Sequence, residues 1–361
     1  MTANQARDYL NTLVTRRLCS DDKRGFYEFF KLAWATVEAE ELITNWHIEY
    51  LCYLLQKEVE RIAAGEPADK DLIINIPPRS SKSMICTVML NAWAWTKYPH
   101  LKFITVSYSA TLSEKHSIKT KRVIESKWYQ RHWGHVFQYS KKKNTNKEYW
   151  TDKGGMRFAS SVGGTVTGDG ADMVIGDDLL NPSESESKKM RQNAVDFYRE
   201  TLSSRLNNPS VGLFAMVNQR THTEDVTGKE LSENPDYYTH ICIPAESRYP
   251  VKPAYLEKFY TDGLFDPVRF SRKELAKLEK KMTNYAGQYG QQPTKPGGNI
   301  IKGDWFFRWT MEDLVYMASV KRERLIWHFV IDGAYTKDSN NSATVCLCYC
   351  KFNGKYWIRN V

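Results

Sequence analysis

The chain has 361 residues, of which 42% are hydrophobic and 13% aromatic. This composition is typical of a globular protein of two or three domains and excludes a disordered chain. No stretch of about 18 apolar residues occurs, so neither a signal-type segment nor a membrane span is expected. The 51 Lys and Arg against 42 Asp and Glu give a formal charge of +9, which favours a polyanionic partner.

The seven cysteines are an odd number and are scattered along the chain, which does not suggest a disulfide framework. This pattern is typical of proteins in a reducing compartment, and we expect a soluble cytoplasmic protein. Cys346, Cys348 and Cys350 recur at every second position. In a strand this spacing puts all three on one face, where small residues facing a core are a more frequent finding than zinc ligands.

Apolar residues recur at helical spacing through residues 1–66, and Gly65-Glu66-Pro67 ends this helical region. Short apolar runs then alternate with helical patterns through residues 67–249. Strands that alternate with helices predict an α/β domain whose sheet is mostly parallel and covered on both faces. The predicted strands are Leu72–Ile76, Phe103–Val106, Met173–Gly176, Val211–Val217 and His240–Ile243.

Residues 250–323 lack this alternation and contain repeated prolines, so we interpret them as a linker with one helix, Ser271–Met282. Residues 324–361 then predict a strand, a loop, a second strand, a turn and a third strand. The turn is Asn353-Gly354, a dipeptide that favours a tight β-hairpin between apolar runs.

The stretch NIPPRSSKSM, residues 75–84, follows the first predicted strand and contains Lys-Ser, as a phosphate-binding loop does. Such loops normally carry two glycines, which let the backbone approach phosphates closely. Ile76 and Ser81 occupy the two glycine positions here. Two interpretations remain open at this point: a nucleotide-binding loop, or a surface loop stiffened by its two prolines.

In the first interpretation the backbone amides of the loop would hold phosphate at the start of a helix, where the helix dipole favours an anion. These amides belong to Arg79, Ser80, Ser81, Lys82 and Ser83. The side chain of Lys82 would reach the β- and γ-phosphates of ATP, and Ser83 would be a ligand of Mg²⁺. Ser81 is small enough to stand in for glycine, and Arg79 adds a second cation.

The segment GADMVIGDD, residues 170–178, is an apolar run that ends in two carboxylates. A nucleotide site of this kind needs one acid near Mg²⁺ and, in hydrolysing proteins, another that orients water. We assign the first role to Asp177 and the second to Asp178. The alternative is that both aspartates begin a turn or cap a helix.

Polar residues also end the strand in GLFAMVNQRTH, residues 212–222, where side chains face the ligand crevice of a parallel sheet. Gln219 is our candidate for sensing the γ-phosphate, and Arg220 is either a site residue or part of a surface salt bridge. Trp46 and His47 precede the first strand and could contact adenine, although a core position for Trp46 is an equal alternative.

Several segments, in this order, resemble the large subunit of tailed-bacteriophage terminase, the DNA-packaging motor. They are WHIEYLCYLL, LIINIPPRSSKS, AWAW, ITVSYSATLSEKHS, SSVGGTVTGDGADMVIGDDLLNP, SSRLNN, NQRTHTEDVTG and YGQQPTKPGG. The similarity runs from about Arg24 to the end of the chain. Phosphate loops in this family commonly read PPR-x-x-KS, so the resemblance favours the nucleotide-binding interpretation.

The resemblance implies a P-loop NTPase domain of the additional-strand type, followed by a nuclease domain of ribonuclease H-like fold. It implies ATP-driven translocation of double-stranded viral DNA into a procapsid, in the host cytoplasm. The expected partners are DNA, the portal protein, the terminase small subunit and further copies of this chain in a ring, with no membrane. The expected cofactors are ATP and Mg²⁺, with Mg²⁺ or Mn²⁺ for the nuclease.

Two positions depart from the pattern of the family. Asp169 stands where similar proteins often carry a basic residue, so it cannot supply an arginine finger. Arg205, in SSRLNN, is our first candidate for a finger donated to a neighbouring subunit, with Arg220 and Arg79 as alternatives. A salt bridge at a helix end is an equal interpretation of Arg205.

The second departure concerns the nuclease. FVIDGAYTKD looks like the first nuclease strand, with Asp332 at the metal-binding position and Asp338 nearby in a loop. In the family the other acids lie on later elements, and two-metal hydrolysis needs several carboxylates. We therefore expect 324–361 to be an incomplete nuclease domain that does not cut DNA. Two other functions remain open: a helicase-like translocase, and a non-enzymatic assembly protein.

Overall fold

Every strand predicted for the central domain is present in the computed structural model, which describes residues 3–166, 168, 170–294, 309–332 and 345–360. Three further strands, between the second and third predicted ones, belong to the same sheet. The eight strands are β1 (Asp71–Asn75), β2 (Lys102–Ser107), β3 (Tyr139–Asn144), β4 (Glu148–Thr151), β5 (Met156–Ser161), β6 (Met173–Asp177), β7 (Leu213–Asn218) and β8 (Tyr238–Cys242).

The order of the strands is β3-β4-β5-β2-β6-β7-β1-β8. Neighbouring strands from β5 to β8 run parallel, whereas β4 is antiparallel to β5 and to β3. The prediction of a mostly parallel sheet is therefore confirmed. β7 lies between β6 and β1, which is the additional strand that the predicted fold class requires.

The helices flank this sheet and precede it. They are α1 (Ala3–Cys19), α2 (Gly25–Ala33), α3 (Trp46–Ala63), α4 (Leu90–Lys97), α5 (Ala110–Glu125), α6 (Lys127–Trp133), α7 (Lys188–Asp196), α8 (Val226–Glu233), α9 (Arg272–Lys281) and α10 (Tyr285–Gln288). Two π-helical segments, Met84–Met89 before α4 and Phe197–Leu202 after α7, extend their helices. Such segments are rare and are often found at functional sites.

Apolar side chains cover both faces of the sheet, because successive residues of a strand point to opposite sides. In β1, Leu72 and Ile74 belong to one buried cluster and Ile73 to the other. In β6, Ile175 faces the first cluster and Val174 the second. Burial on both faces explains why these strands are continuous apolar runs rather than alternating patterns.

The divisions of the chain differ from the predicted domain boundaries. Contacts separate two units, Met1–Lys295 and Pro296–Val361. The helical region 1–66 and the first part of the predicted linker both belong to the first unit. Buried aromatic residues of both regions join the large core cluster of that unit. These residues are Phe26, Phe29, Phe30, Phe265, Phe270, Tyr285 and Tyr289.

The second unit contains α11 (Met311–Lys321) and a three-stranded antiparallel sheet in the order β11-β10-β9. The strands are β9 (Trp327–Asp332), β10 (Val345–Phe352) and β11 (Lys355–Asn360). Asn353 and Gly354 both have positive φ, 52° and 72°, as a tight hairpin turn requires. The predicted strands and turn are confirmed here.

Two of the three cysteines in β10 face the small core of the second unit. Cys348 and Cys350 are buried, and Cys350 belongs to a cluster with Leu314 and Ala318 of α11. Cys346 is exposed, although the prediction placed it with the other two. The cluster is small, so it covers only one end of the strand.

Candidate nucleotide site

The loop after β1 has a left-handed backbone at two residues that are not glycine. Arg79 has a φ of 63° and Ser81 a φ of 62°. Side chains other than glycine rarely adopt this conformation, which costs roughly 1–2 kcal/mol per residue. Ser81 is the position where phosphate loops usually carry glycine. At Ser81 the loop therefore adopts the left-handed backbone conformation that glycine favours, although the residue is serine.

A buried histidine supports the loop from behind. His47 Nε2 lies 3.0 Å from the carbonyl oxygen of Ser80, and its Nδ1 lies 3.1 Å from Asn45 Nδ2. Burial lowers the pKa of His47 to about 3, so the ring is neutral. Because Ser80 O can only accept, Nε2 carries the hydrogen and Nδ1 accepts from Asn45. Both ring nitrogens are occupied, so His47 holds the loop and does not offer an atom to adenine.

Trp46 lies on another side of α3. Its ring stacks on Phe259 with centroids 5.4 Å apart, and its Nε1 donates to Phe265 O over 3.0 Å. It lines a cavity of about 510 Å³ together with Lys23, Arg24, Glu49, Tyr50, Tyr53 and Phe259. None of these residues belongs to the phosphate loop. A contact of Trp46 with adenine stays a prediction.

Lys82 and Asp178 form an ion pair between the loop and the carboxyl end of β6. Lys82 Nζ lies 2.9 Å from Oδ1 and 2.8 Å from Oδ2 of Asp178. The backbone N–H of Gln219 also donates to Oδ1 over 3.0 Å. Burial raises the pKa of Asp178, Lys82 opposes that rise, and the neighbouring Asp177 adds to it. The three chain segments predicted to form one site thus meet at this carboxylate.

Asp177 points into the interior, away from Asp178. Its Oδ2 accepts from Thr87 Oγ1 over 2.8 Å and lies 3.6 Å from His116 Nδ1. Burial lowers the pKa of His116, so the neutral ring is favoured at neutral pH. Residues four apart on a helix share a face, which places Ser83 and Thr87 on the same side of their helix. Asp177 contacts the inner of these two hydroxyl groups.

These oxygen atoms fit the limited demands of a nucleotide-bound Mg²⁺. That ion usually takes one or two protein ligands and completes its shell with water and phosphate. Asp177 Oδ1 is buried and has no hydrogen-bond partner within the described part of the chain. No group of three or more His, Cys, Asp or Glu suited to a metal occurs among the described residues. The donors therefore suit a shared Mg²⁺ and not a cage made of protein alone.

The arginines near the site differ in their freedom. Arg220 Nε lies 3.0 Å from both carboxylate oxygens of Asp225, so this side chain is fixed in a salt bridge. Arg79 is exposed and makes no ion pair within the described residues. Of the two alternative fingers, only Arg79 is available to another anion. The predicted sensor Gln219 has a buried Oε1 without a hydrogen-bond partner in the described residues.

Arg205 lies at the amino end of β6, opposite the end of the strands that carries the nucleotide loop. Its carbonyl oxygen accepts from the N–H of Ala171, which precedes β6, whereas Asp178 follows the end of β6. Seven residues of extended chain separate these levels, and at about 3.3 Å per residue this is roughly 20 Å. Arg205 therefore cannot reach a phosphate held by its own loop. Asp169 and Asp338 lie outside the described residues.

Thr87 and His116, which lie next to Asp177 in the interior, and the buried Arg157 were not predicted from the sequence. Arg157 of β5 is fully buried, and none of its three side-chain nitrogens has a hydrogen-bond partner in the described residues. Its strand, MRFASS, has no charge pattern that distinguishes it from a loop. The spacing of Ser83 and Thr87 was the one signal that could have revealed Thr87.

The strand order, the loop after β1 and the paired acids after β6 define a P-loop fold of the additional-strand type. No model of a protein family matches the chain, and no curated protein matches it. Among solved structures, the large terminase of bacteriophage HK97 shares 10% identity at a TM-score of 0.45, over 91% of this chain and 66% of that one.

The large terminase of a thermophilic bacteriophage was solved with ATP-gamma-S. That structure shares 10% identity at a TM-score of 0.34, over 85% of this chain and 67% of the other. Another crystal form of the same terminase shares 11% at 0.38, over 85% and 68%. These proteins are of the class that the sequence motifs resemble, and the likeness concerns the fold. The chain spans about two thirds of their length. Among the described residues, no helix is long and apolar enough to cross a membrane.

Proposed function

We propose that this chain is an ATPase that moves double-stranded viral DNA into a procapsid, as a terminase large subunit does. The observation that carries the proposal is the ion pair of Lys82 with Asp178, which joins the phosphate loop to the strand that bears the predicted catalytic acids. A lysine held at this place can neutralise the charge of a transferred phosphoryl group.

ATP binding would change the partner of Lys82. Phosphate oxygens and the Asp178 carboxylate compete for the same ammonium group, so a bound γ-phosphate would release Asp178. The released carboxylate then orients the attacking water and accepts its proton. A pKa that burial holds above the usual range suits a proton acceptor at neutral pH. Gln219, whose N–H contacts Asp178, would report this change to the following segment.

Ser83 and Asp177 are the residues that would hold Mg²⁺, with the hydroxyl group of Thr87 fixing the orientation of Asp177. Bound Mg²⁺ would supply charge neutralisation for the β- and γ-phosphates. The amides of residues 79–83 lie at the start of the helix that continues into α4, where they can donate to phosphate oxygens.

A ring of copies is part of the proposal. Because Arg205 lies at the other end of β6 from Asp178, it would act on the nucleotide of a neighbouring copy. Mixing Arg205→Ala chains with Asp178→Asn chains should restore some hydrolysis, since a mixed interface can combine an intact finger with an intact loop. Absence of rescue in demonstrably formed rings would contradict this role.

The partners in the proposal are duplex DNA, the portal protein and the terminase small subunit. The formal charge of +9 supports contact with DNA phosphates, which would be salt-sensitive and largely independent of sequence. Asp332 ends β9 and is proposed as one carboxylate of a nuclease site that uses Mg²⁺ or Mn²⁺. One carboxylate cannot hold two metal ions, so plasmid nicking by this chain that Asp332→Ala abolishes would show further ligands within it.

The direct test measures ATP hydrolysis with and without blunt duplex DNA. The unaltered chain should hydrolyse ATP faster with DNA, and Lys82→Ala should abolish hydrolysis. Lys97→Ala is a matched control, because it also removes a lysine in an ion pair, with Glu60, but far along α4. Wild-type turnover in Lys82→Ala would contradict the site. Absence of ATP binding by the unaltered chain would favour an assembly protein, and unwinding of the duplex would favour a helicase.

A further inference from the structure

The hairpin of β3 and β4 carries four lysines and one acid between Tyr139 and Thr151. The acid, Glu148, is already neutralised: its Oε1 lies 3.0 Å from Lys143 Nζ and accepts from Trp150 Nε1 over 2.7 Å. The other three lysines, Lys141, Lys142 and Lys147, are exposed and make no ion pair within the described residues. The hairpin therefore presents three positive charges that form no ion pair within the described residues.

Contacts along the hairpin fix its position. Lys121 Nζ of α5 donates to Asn144 Oδ1 over 2.7 Å and lies over the rings of Tyr139 and Tyr149, 5.5 and 5.3 Å from their centroids. Lys143 lies over the ring of Trp150 at 4.6 Å. Lys121 of α5 and one hairpin lysine, Lys143, thus support the hairpin, and its other three lysines are left for an external partner.

The hairpin tip lies at the same end of the strands as the nucleotide loop, namely the carboxyl end of the parallel strands. β4 runs antiparallel to β5, with Glu148 opposite Phe158, and Ala159 N–H donates to Lys147 O over 2.8 Å. The tip is therefore level with the carboxyl end of β5. Four strand spacings of about 4.8 Å separate β3 from β6, which is about 19 Å. A lysine side chain cannot bridge that distance, so the hairpin does not serve the ATP site of its own chain.

We propose that this hairpin is a contact surface for the phosphates of double-stranded DNA, an inference that rests on the proposed function. A duplex offers one negative charge per about 1.7 Å of its axis, so closely spaced lysines on a fixed edge can contact several phosphates at once. Such contacts position the duplex without reading its sequence, as a translocating motor requires. The simpler interpretation is that the lysines only protect an edge strand from pairing with another chain.

The experiment measures the affinity for a blunt DNA duplex as a function of KCl concentration. The variant combines Lys141→Ala, Lys142→Ala and Lys147→Ala. Each lost phosphate contact lowers the slope of log K against log salt by about 0.9, so the slope should fall in magnitude by about 2.7. At 100 mM salt the affinity should fall on the order of 100-fold.

The matched control combines Lys277→Ala, Lys280→Ala and Lys281→Ala. These lysines of α9 are also exposed and without ion pairs in the described residues, and α9 follows β8, the opposite edge strand. Their replacement removes the same charge but should leave the salt slope near that of the unaltered chain. Replacing the hairpin lysines by arginine should also preserve the slope, because it keeps the charge.

Three results would overturn the inference. A folded alanine variant, checked by its thermal midpoint, that keeps the wild-type slope shows that the lysines do not contact DNA. Self-association of that variant with an unchanged slope identifies edge protection as their role. An equal fall in the α9 control attributes the effect to net charge alone. If the unaltered chain does not bind DNA at any salt concentration, the proposed DNA motor itself fails, a result distinct from the other three.

Discussion

Lys82 and Arg157 are both buried cations of the first unit, yet their surroundings differ. Lys82 lies at the carboxyl end of the parallel strands and contacts both carboxylate oxygens of Asp178. Arg157 lies in β5 near His116, with no hydrogen-bond partner for its nitrogens in the described residues. Burial lowers the pKa of this guanidinium from its ordinary value, which means that its charge is destabilised there.

Lys82 thus occupies a functional position, whereas Arg157 occupies a position that costs folding free energy. At the carboxyl end of the strands, a paired cation can exchange its carboxylate partner for a phosphate. Substitutions there should therefore change the rate of hydrolysis. In the interior, a cation without a bonded partner costs folding free energy, so changes there should act on stability. The following substitutions test this separation.

The largest effect is expected for Asp178→Asn. The amide keeps the shape of the carboxylate and leaves the phosphate loop intact, but it cannot accept a proton from water. We expect kcat to fall by about 100- to 10,000-fold while the Kd for ATP stays near the wild-type value or falls, because the neutral amide competes less for Lys82. Steady-state hydrolysis assays measure kcat, and equilibrium titration with ATP measures the Kd. A comparable loss of ATP affinity would instead assign Asp178 to binding.

A smaller effect is expected at Thr87, which fixes the inner carboxylate. Thr87→Val keeps the shape but removes the donor to Asp177 Oδ2, so the carboxylate loses its orientation. Partners of a metal ligand typically account for about 10- to 100-fold in metal affinity. The half-saturating Mg²⁺ concentration for hydrolysis should rise by that amount, and Thr87→Ser should restore it. An unchanged Mg²⁺ requirement in the valine variant would show that this contact is only structural.

Arg157→Met tests the interior side of the comparison. Methionine has a similar length and needs no hydrogen bond, so the free energy of unfolding should stay unchanged or rise by about 1–2 kcal/mol. Arg157→Lys keeps a buried charge and should give no such gain. Urea denaturation measures both variants. A loss of more than about 3 kcal/mol in Arg157→Met would show that the guanidinium has a partner that stabilises it.

The same separation explains what the sequence could predict. Strands such as β1 and β6 are continuous apolar runs because both of their faces are buried. The loop follows β1 directly and the acids end β6, so it was predictable that they meet at the carboxyl end of the sheet. β3, YSKKKN, is an edge strand whose side chains face solvent, and β5 contains the buried Arg157. Neither has the apolar signal of a central strand, so both were missed. The contact of His47 with the loop depends on tertiary packing, which no local spacing encodes, and for Thr87 only its four-residue spacing from Ser83 gave a signal.

The smallest expected effect concerns the loop that lacks glycine. Ser81→Gly should relieve a left-handed backbone that costs about 1–2 kcal/mol, while the greater freedom of glycine in the unfolded chain costs about 0.5–1 kcal/mol. The net gain in the free energy of unfolding should be about 0.5–1 kcal/mol. Ser83 has a helical φ of −66°, so Ser83→Gly receives no relief and should lose a similar amount. Denaturation of both variants gives the two signs. If Ser81→Gly also destabilises the chain, the serine side chain makes a contact that outweighs the strain, and the loop retains serine for that contact rather than despite its backbone.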